Sequence, residues 1–228
     1  MLKLHFHGHS CWDLTDGKHR VLIDPFLTGN PLADVGPEAI ESLDAIVITH
    51  GHGDHIGDSV EIAKRTGALV VSNFEIANYC GAKGCESHPM HIGGGRGFPF
   101  GHVKFTIAHH GSTGPEGEPL GNPMGVVLTM GGRKVYHAGD TGLFLDMQLI
   151  AEMNGPLDVA LLPIGDNFTM GVDDAVKAAE LLGAATTIPM HYDTFDVVQA
   201  DPADFAAKVQ RHGGKVAIVK PGQSFALE

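Results

Sequence analysis

AIVITHGHGDHIGD, residues 45–58, joins a β-branched apolar run to four side chains that can bind cations, His50, His52, Asp54 and His55. The run from Ala45 to Thr49 reads as a strand buried on both faces, and the polar residues begin where it stops. His50 and His52 stand two apart, so in extended chain both rings project to one side. Gly51 and Gly53 permit the tight turn that returns Asp54 and His55 beside them. Imidazole and carboxylate suit zinc, nickel, iron or manganese. Packing gives no reason for a histidine cluster to follow a hydrophobic strand this closely, so the stretch points to a metal centre at a strand's carboxyl end.

One loop cannot surround two ions. Residues in the same context, polar and just past an apolar strand, are His109 and His110 after VKFTIA (103–108), Asp140 after KVYHAG (134–139) and His191 after TTIPM (186–190). Further strands are expected at LKLHF (2–6), VLID (21–24), ALVV (68–71), GVVLTM (125–130), VALLPI (159–164) and KVAIV (215–219). Between them, helices are expected over 58–65, 75–82, 145–153, 173–182 and 202–212, the last with Asp201 as N-cap and Pro202 at its first position. Gly131 and Gly132 read as a hairpin turn, and GGGRGFPFG (93–101) as a loop. A strand-rich middle flanked by alternating strands and helices predicts sheets covered by helices, an α/β (α+β) layered sandwich forming one domain over residues 1–228.

Composition narrows the function. Against 27 Asp and Glu stand 15 Lys and Arg, a formal net charge of −12, whereas nucleic-acid binding needs a cationic surface. A small-molecule substrate is therefore expected and no nucleic-acid partner. The 15 histidines equal Lys and Arg together, which fits a metal protein. No apolar run approaches the roughly 20 residues of a membrane span, and the N-terminus lacks a signal peptide's build, so a cytoplasmic location without a membrane partner is expected. The three cysteines, Cys11, Cys80 and Cys85, agree with a reducing compartment. The sequence is compatible with a homo-oligomer.

The H-x-H-x-D-H run of His50, His52, Asp54 and His55, followed in order by a later His, an Asp in a G-D-T element and a final His, resembles the metallo-β-lactamase superfamily. Within it the chain is similar to a group of small metal-dependent hydrolases related to the bacterial ascorbate-phosphate lactonases. The blocks that carry this are FHGHS (6–10), LIDPFLTGNP (22–31), THGHGDHIGD (49–58), HPMHIGG (88–94), YHAGDTGLF (136–144) and LPIGDNFTMG (162–171). The resemblance implies a four-layer αββα sandwich and two divalent ions, zinc first, with manganese, nickel or iron as alternatives. It implies His50, His52 and His110 on one ion, Asp54, His55 and His191 on the other, and Asp140 bridging them. Asp54 and Asp140 become the catalytic carboxylates, and a metal-bridging hydroxide would hydrolyse an ester, lactone or phosphodiester. The alternatives are a nuclease or a non-hydrolytic metal or redox protein on the same scaffold.

Other polar residues have two readings. His7 and His9, alternating with Phe6 and Gly8, are expected on one face, either as structural histidines or as contacts to ligands or substrate near the metals. His137, three residues before Asp140, has the same pair of readings. Asp166 and Asn167 either reach substrate or form a turn. Cys80, Cys85, His88 and His91 could in principle hold a structural zinc, though Pro89 and the nearby glycines suit a strand and turn better. The loop HGSTGPEGEPLGNPMG (110–125) is the expected source of specificity.

Overall fold

Parallel strands buried on both faces need unbroken apolar sequence, whereas antiparallel edges tolerate polar residues, and this difference orders the two sheets. The computed structural model describes residues 1–228. The first sheet holds β1 (Leu2–Gly8), β2 (Cys11–Thr15), β3 (Arg20–Ile23), β4 (Ala45–Val47), β5 (Leu69–Asn73) and β6 (Ser87–Met90). The second holds β7 (Gly95–Phe98), β8 (Gly101–Ile107), β9 (Met124–Met130), β10 (Arg133–His137), β11 (Val159–Pro163) and β12 (Thr186–Met190). The last strand, β13 (Ser224–Leu227), returns to the first sheet beside β1. Each sheet begins as an antiparallel meander and continues in parallel strands, the change coming at β3 in one and β10 in the other.

Strand alternation builds the layers. Ala45 and Val47 of β4 and Val159 and Leu161 of β11 point into the core between the sheets, with Trp12 and Phe105. Their neighbours Ile46 and Leu162 point outward, under helices. The short turn α1 (Gly53–Ile56), α2 (Ser59–Thr66) and α3 (Phe74–Ala82) cover the first sheet, while α4 (Met147–Asn154), α5 (Val172–Leu182) and α6 (Pro202–Arg211) cover the second. The result is the four-layer αββα sandwich. Capping fixes several helix ends: Asp201 accepts from Ala203 N at α6, and Asn73 accepts from Ile76 N at α3. No helix is long and apolar enough to cross a membrane.

Two expectations need correction. KVAIV (215–219) is not a strand: only Val216 bridges, to Thr187 at the edge of the second sheet, and the strand near the C-terminus is β13, which pairs with β1 in the first sheet. GGGRGFPFG contains β7, a largely exposed edge strand that pairs with β8, rather than being all loop. CWDLT forms β2, an additional strand whose polar residues hide the alternation, and SHPM forms β6, in keeping with the strand and turn read around Pro89. The hairpin at Gly131 and Gly132 forms as read, both residues having positive φ.

The inter-sheet core sets stability. Phe105→Ala, at a position with no exposed surface, should cost about 3–5 kcal/mol, measured by urea denaturation with an unchanged m-value.

Candidate metal centre

The clustered side chains come from the carboxyl ends of strands in both sheets. His50 and His52 follow β4, Asp54 and His55 ride on α1, His110 follows β8, Asp140 follows β10 and His191 follows β12. Their ligand atoms form two groups, His50 with His52 and His110, and Asp54 with His55, His191 and His9. Asp140 stands between the groups. Its Oδ2 lies 3.9 Å from His50 Nε2, 3.5 Å from His110 Nε2 and 3.1 Å from His191 Nε2, and its Oδ1 lies 3.2 Å from His55 Nε2.

Local backbone geometry aims these groups. The chain is extended at His52 (φ −61°, ψ 147°) and then enters α1, so Asp54 and His55 return toward the cluster on a single helical turn. Gly51 is required by close approach, since a Cβ there would sit 2.7 Å from the Leu120 side chain. Gly139 precedes Asp140 with φ +61°, and a Cβ would meet Met124 O at 2.6 Å. His9, Asp24 and His191 hold φ of 58°, 48° and 55° without being glycine. Each costs about 1–2 kcal/mol relative to ordinary backbone, so packing around the centre must impose them. One such constraint is direct, because His191 N donates to His9 O at 2.7 Å.

Behind the cluster, a hydrogen-bonded layer fixes the rings. Asp24, fully buried, accepts from His55 Nδ1 (2.8 Å), Thr49 N (2.8 Å) and the Thr49 hydroxyl (2.6 Å). Thr49 Oγ1 in turn lies 3.0 Å from His50 Nδ1, so both rings turn their Nε2 atoms inward. His137 donates from Nε2 to Ser10 O and accepts from Gly139 N, which holds the turn that presents Asp140. His9 Nε2 lies 3.1 Å from Asp54 Oδ2, and its Nδ1 lies 2.9 Å from Thr194 Oγ1.

The charges favour a cation. Burial opposes ionisation of Asp140, but the His191 and His55 rings outweigh it and hold the carboxyl well below the usual range. Burial likewise works against Asp54, yet the His9 hydrogen bond holds it below its ordinary value. Burial, with His55 adding repulsion, pushes His50 well down, and burial followed by His191 takes His9 down to about 4. His55 moves the other way: burial opposes its charge, but Asp140 and then Asp24 raise its pKa well above normal. A proton and a metal ion thus compete for its Nε2. The buried atoms His55 Nε2, Asp140 Oδ1, His191 Nδ1 and His191 Nε2 make no hydrogen bond. Three of these four converge on the same place, and an imidazole and carboxylate donor set with unsatisfied inward atoms fits divalent metal.

The remaining sequence candidates divide. His109 is exposed, its ring against Phe144 at 5.0 Å, and it lies outside both ligand groups, whereas His110 joins the one with His50 and His52. His7 does not reach the centre. Gly8 (φ +101°) and His9 (φ +58°) turn the chain after β1, sending His9 to Asp54 and leaving His7 on another face, beside Asp34. Asp166 and Asn167, both exposed with positive φ, form a turn closed by Asp166 N donating to Met170 O. Cys80, Cys85, His88 and His91 do not converge as a ligand group, and all three cysteines are free. Asp24, Thr49 and Thr194 were not singled out from sequence. The one signal for Asp24 was an aspartate closing the apolar run VLI just before Pro25.

The profile described as the beta-lactamase superfamily domain matches residues 19–192. The chain belongs to the metallo-β-lactamase superfamily. It is a metal-dependent hydrolase, as its relatives are named: one from Bacillus mycoides is 50% identical with both chains covered in full. Another, from Desulfitobacterium hafniense, is 48% identical over 99% of each chain. Among solved structures, a metallo hydrolase from the archaeon Ignicoccus hospitalis superposes with a TM-score of 0.90 at 38% identity, covering 100% of this chain and 99% of that one.

Because Asp24 orients His55 and, through Thr49, His50, Asp24→Ala should weaken zinc affinity by roughly 10–100-fold, measured by competition with a chelator. Unchanged affinity would show that the rings are held by packing alone.

Proposed function

We propose that the chain hydrolyses a small-molecule ester, lactone or phosphodiester with two divalent cations, zinc in the first place and manganese, nickel or iron as alternatives. The observation that carries this reading is Asp140, whose carboxylate faces one ring or more of each ligand group at 3.1–3.9 Å. His50, His52 and His110 would hold one cation and Asp54, His55 and His191 the other, with Asp140 shared. When bound, the pair supplies an ionised water near neutral pH and polarises the oxygen of the bond under attack.

The side chains do the rest. Asp54, held below its ordinary pKa by the His9 hydrogen bond, would orient the attacking water and accept its proton. His9 belongs with the second group, where its ring is 3.9 Å from that of His191, centroid to centroid. Phe26 and Phe195 pack edge-on to His9 at 5.6 and 5.5 Å, and Phe195, 37% exposed, offers an apolar surface beside it, which supports a substrate with a nonpolar portion. The loop at 110–125 reaches the centre through Ser112 Oγ, which accepts from Gly51 N at 3.0 Å, and through Leu120 packed on Gly51. Loop changes there would alter specificity. The net charge of −12 supports a small substrate over a nucleic acid, and the free cysteines support a cytoplasmic location.

The test is a screen of the zinc-loaded enzyme over lactones, phosphodiesters and carboxyl esters. At least one class should turn over, and Asp54→Asn should lower kcat on it by roughly 10²–10⁴-fold. No turnover on any class, or a variant as active as the parent, would contradict the reading.

A further inference from the structure

A second set of ligand-type side chains lies apart from the centre and shares no residue with it. On β1, His5 and His7 project from the same face because they are two residues apart in extended chain. Asp34, from the segment after β3, reaches between them, Oδ2 at 2.8 Å from His5 Nε2 and Oδ1 at 2.6 Å from His7 Nδ1. The imidazoles meet edge-on with centroids 4.6 Å apart. Beside them is a cavity of about 430 Å³ whose wall also includes Lys3, Asp13 and Arg20.

We propose that His5, His7 and Asp34 form a binding site for a divalent transition-metal ion, separate from the hydrolytic centre. Three features argue for a built site rather than a chance ion pair. First, the donor set is two imidazoles and a carboxylate whose ligand atoms all lie within 4.8 Å of one another. Second, each ring's other nitrogen faces an oxygen that would orient it as a ligand. His5 Nδ1 lies 2.9 Å from Ser224 Oγ, and His7 Nε2 faces Asp13 Oδ2 at 3.7 Å, with Asp13 itself gripped by Arg20. Third, the supporting side of the site is withdrawn from solvent, the His7 and Asp13 side chains being only 4% and 7% exposed, which a surface ion pair would not need.

The geometry leaves room for the ion. Metal bonds of roughly 2.0–2.1 Å need donor atoms roughly 3 Å apart, slightly wider than the present contacts. His5 and Asp34, with side chains 26% and 23% exposed, are free to open by that amount. Asp13 offsets the charge of Arg20, so the cation would meet Lys3 as its one uncompensated positive neighbour in the cavity wall. Coordination positions left by the three ligands face that cavity and take water.

The experiment uses the full chain, stripped with chelator, dialysed against buffered zinc and assayed by elemental analysis. Wild type should hold one more equivalent than either His5→Ala or Asp34→Asn. Adding His5→Ala to Asp140→Ala should likewise remove one equivalent, which separates this site from the other centre. Circular dichroism of the stripped proteins checks that the variants fold, and His5→Gln serves if His5→Ala does not. Equal zinc content in wild type and the folded variants would overturn the proposal and leave a structural ion-pair network.

Discussion

A carboxylate buried at 2% exposure among imidazoles is the constraint on which this structure turns. An anion taken out of water is tolerable only where opposite charge or donors meet it, and Asp140 meets His50, His55, His110 and His191 from three separate segments. Those segments come from both sheets. The packing of the sheets and the assembly of the centre are therefore one problem: Val47, Phe105, Val135 and Ile188 fill the core just before the chain delivers ligands at the strand ends. A sandwich with its sheets slightly displaced would separate His50 from His191 and leave Asp140 buried and uncompensated.

The supporting layer explains how mobile side chains are held to one arrangement. Asp24 occupies in the first sheet the place Asp140 occupies in the second, just past the strand where antiparallel pairing gives way to parallel. One faces the cluster and the other stands behind it, joined through His55, which contacts both. Left-handed backbone at His9, Asp24 and His191 concentrates conformational cost where the ligands are aimed. His137 belongs to the same layer, since its hydrogen bond from Gly139 N shapes the turn leading to Asp140.

Much of this was legible because it is local. The 50–55 run is contiguous chemistry after a contiguous apolar strand, and Asp140 and His191 share that context, which marked them as candidates before the family resemblance gave them roles. Paired sequence neighbours were harder. His109 and His110 are equivalent in composition and differ only in direction after β8. His7 and His9 parted because Gly8 adopts positive φ, a freedom that alternation arguments do not foresee. Edge strands such as GRGF and SHPM lacked apolar faces, while KVAIV had one yet makes only a single bridge, to Thr187 at the edge of the second sheet. Asp24 was hidden by distance, its partners Thr49 and His55 lying 25 and 31 residues away.

Anomalous scattering at the zinc edge from crystals of the loaded enzyme tests the shared carboxylate most directly. Two peaks should flank Asp140, roughly 3.5–4 Å apart, one against His50, His52 and His110 and the other against Asp54, His55 and His191. A single peak there, or two with Asp140 touching neither or only one, would contradict the account.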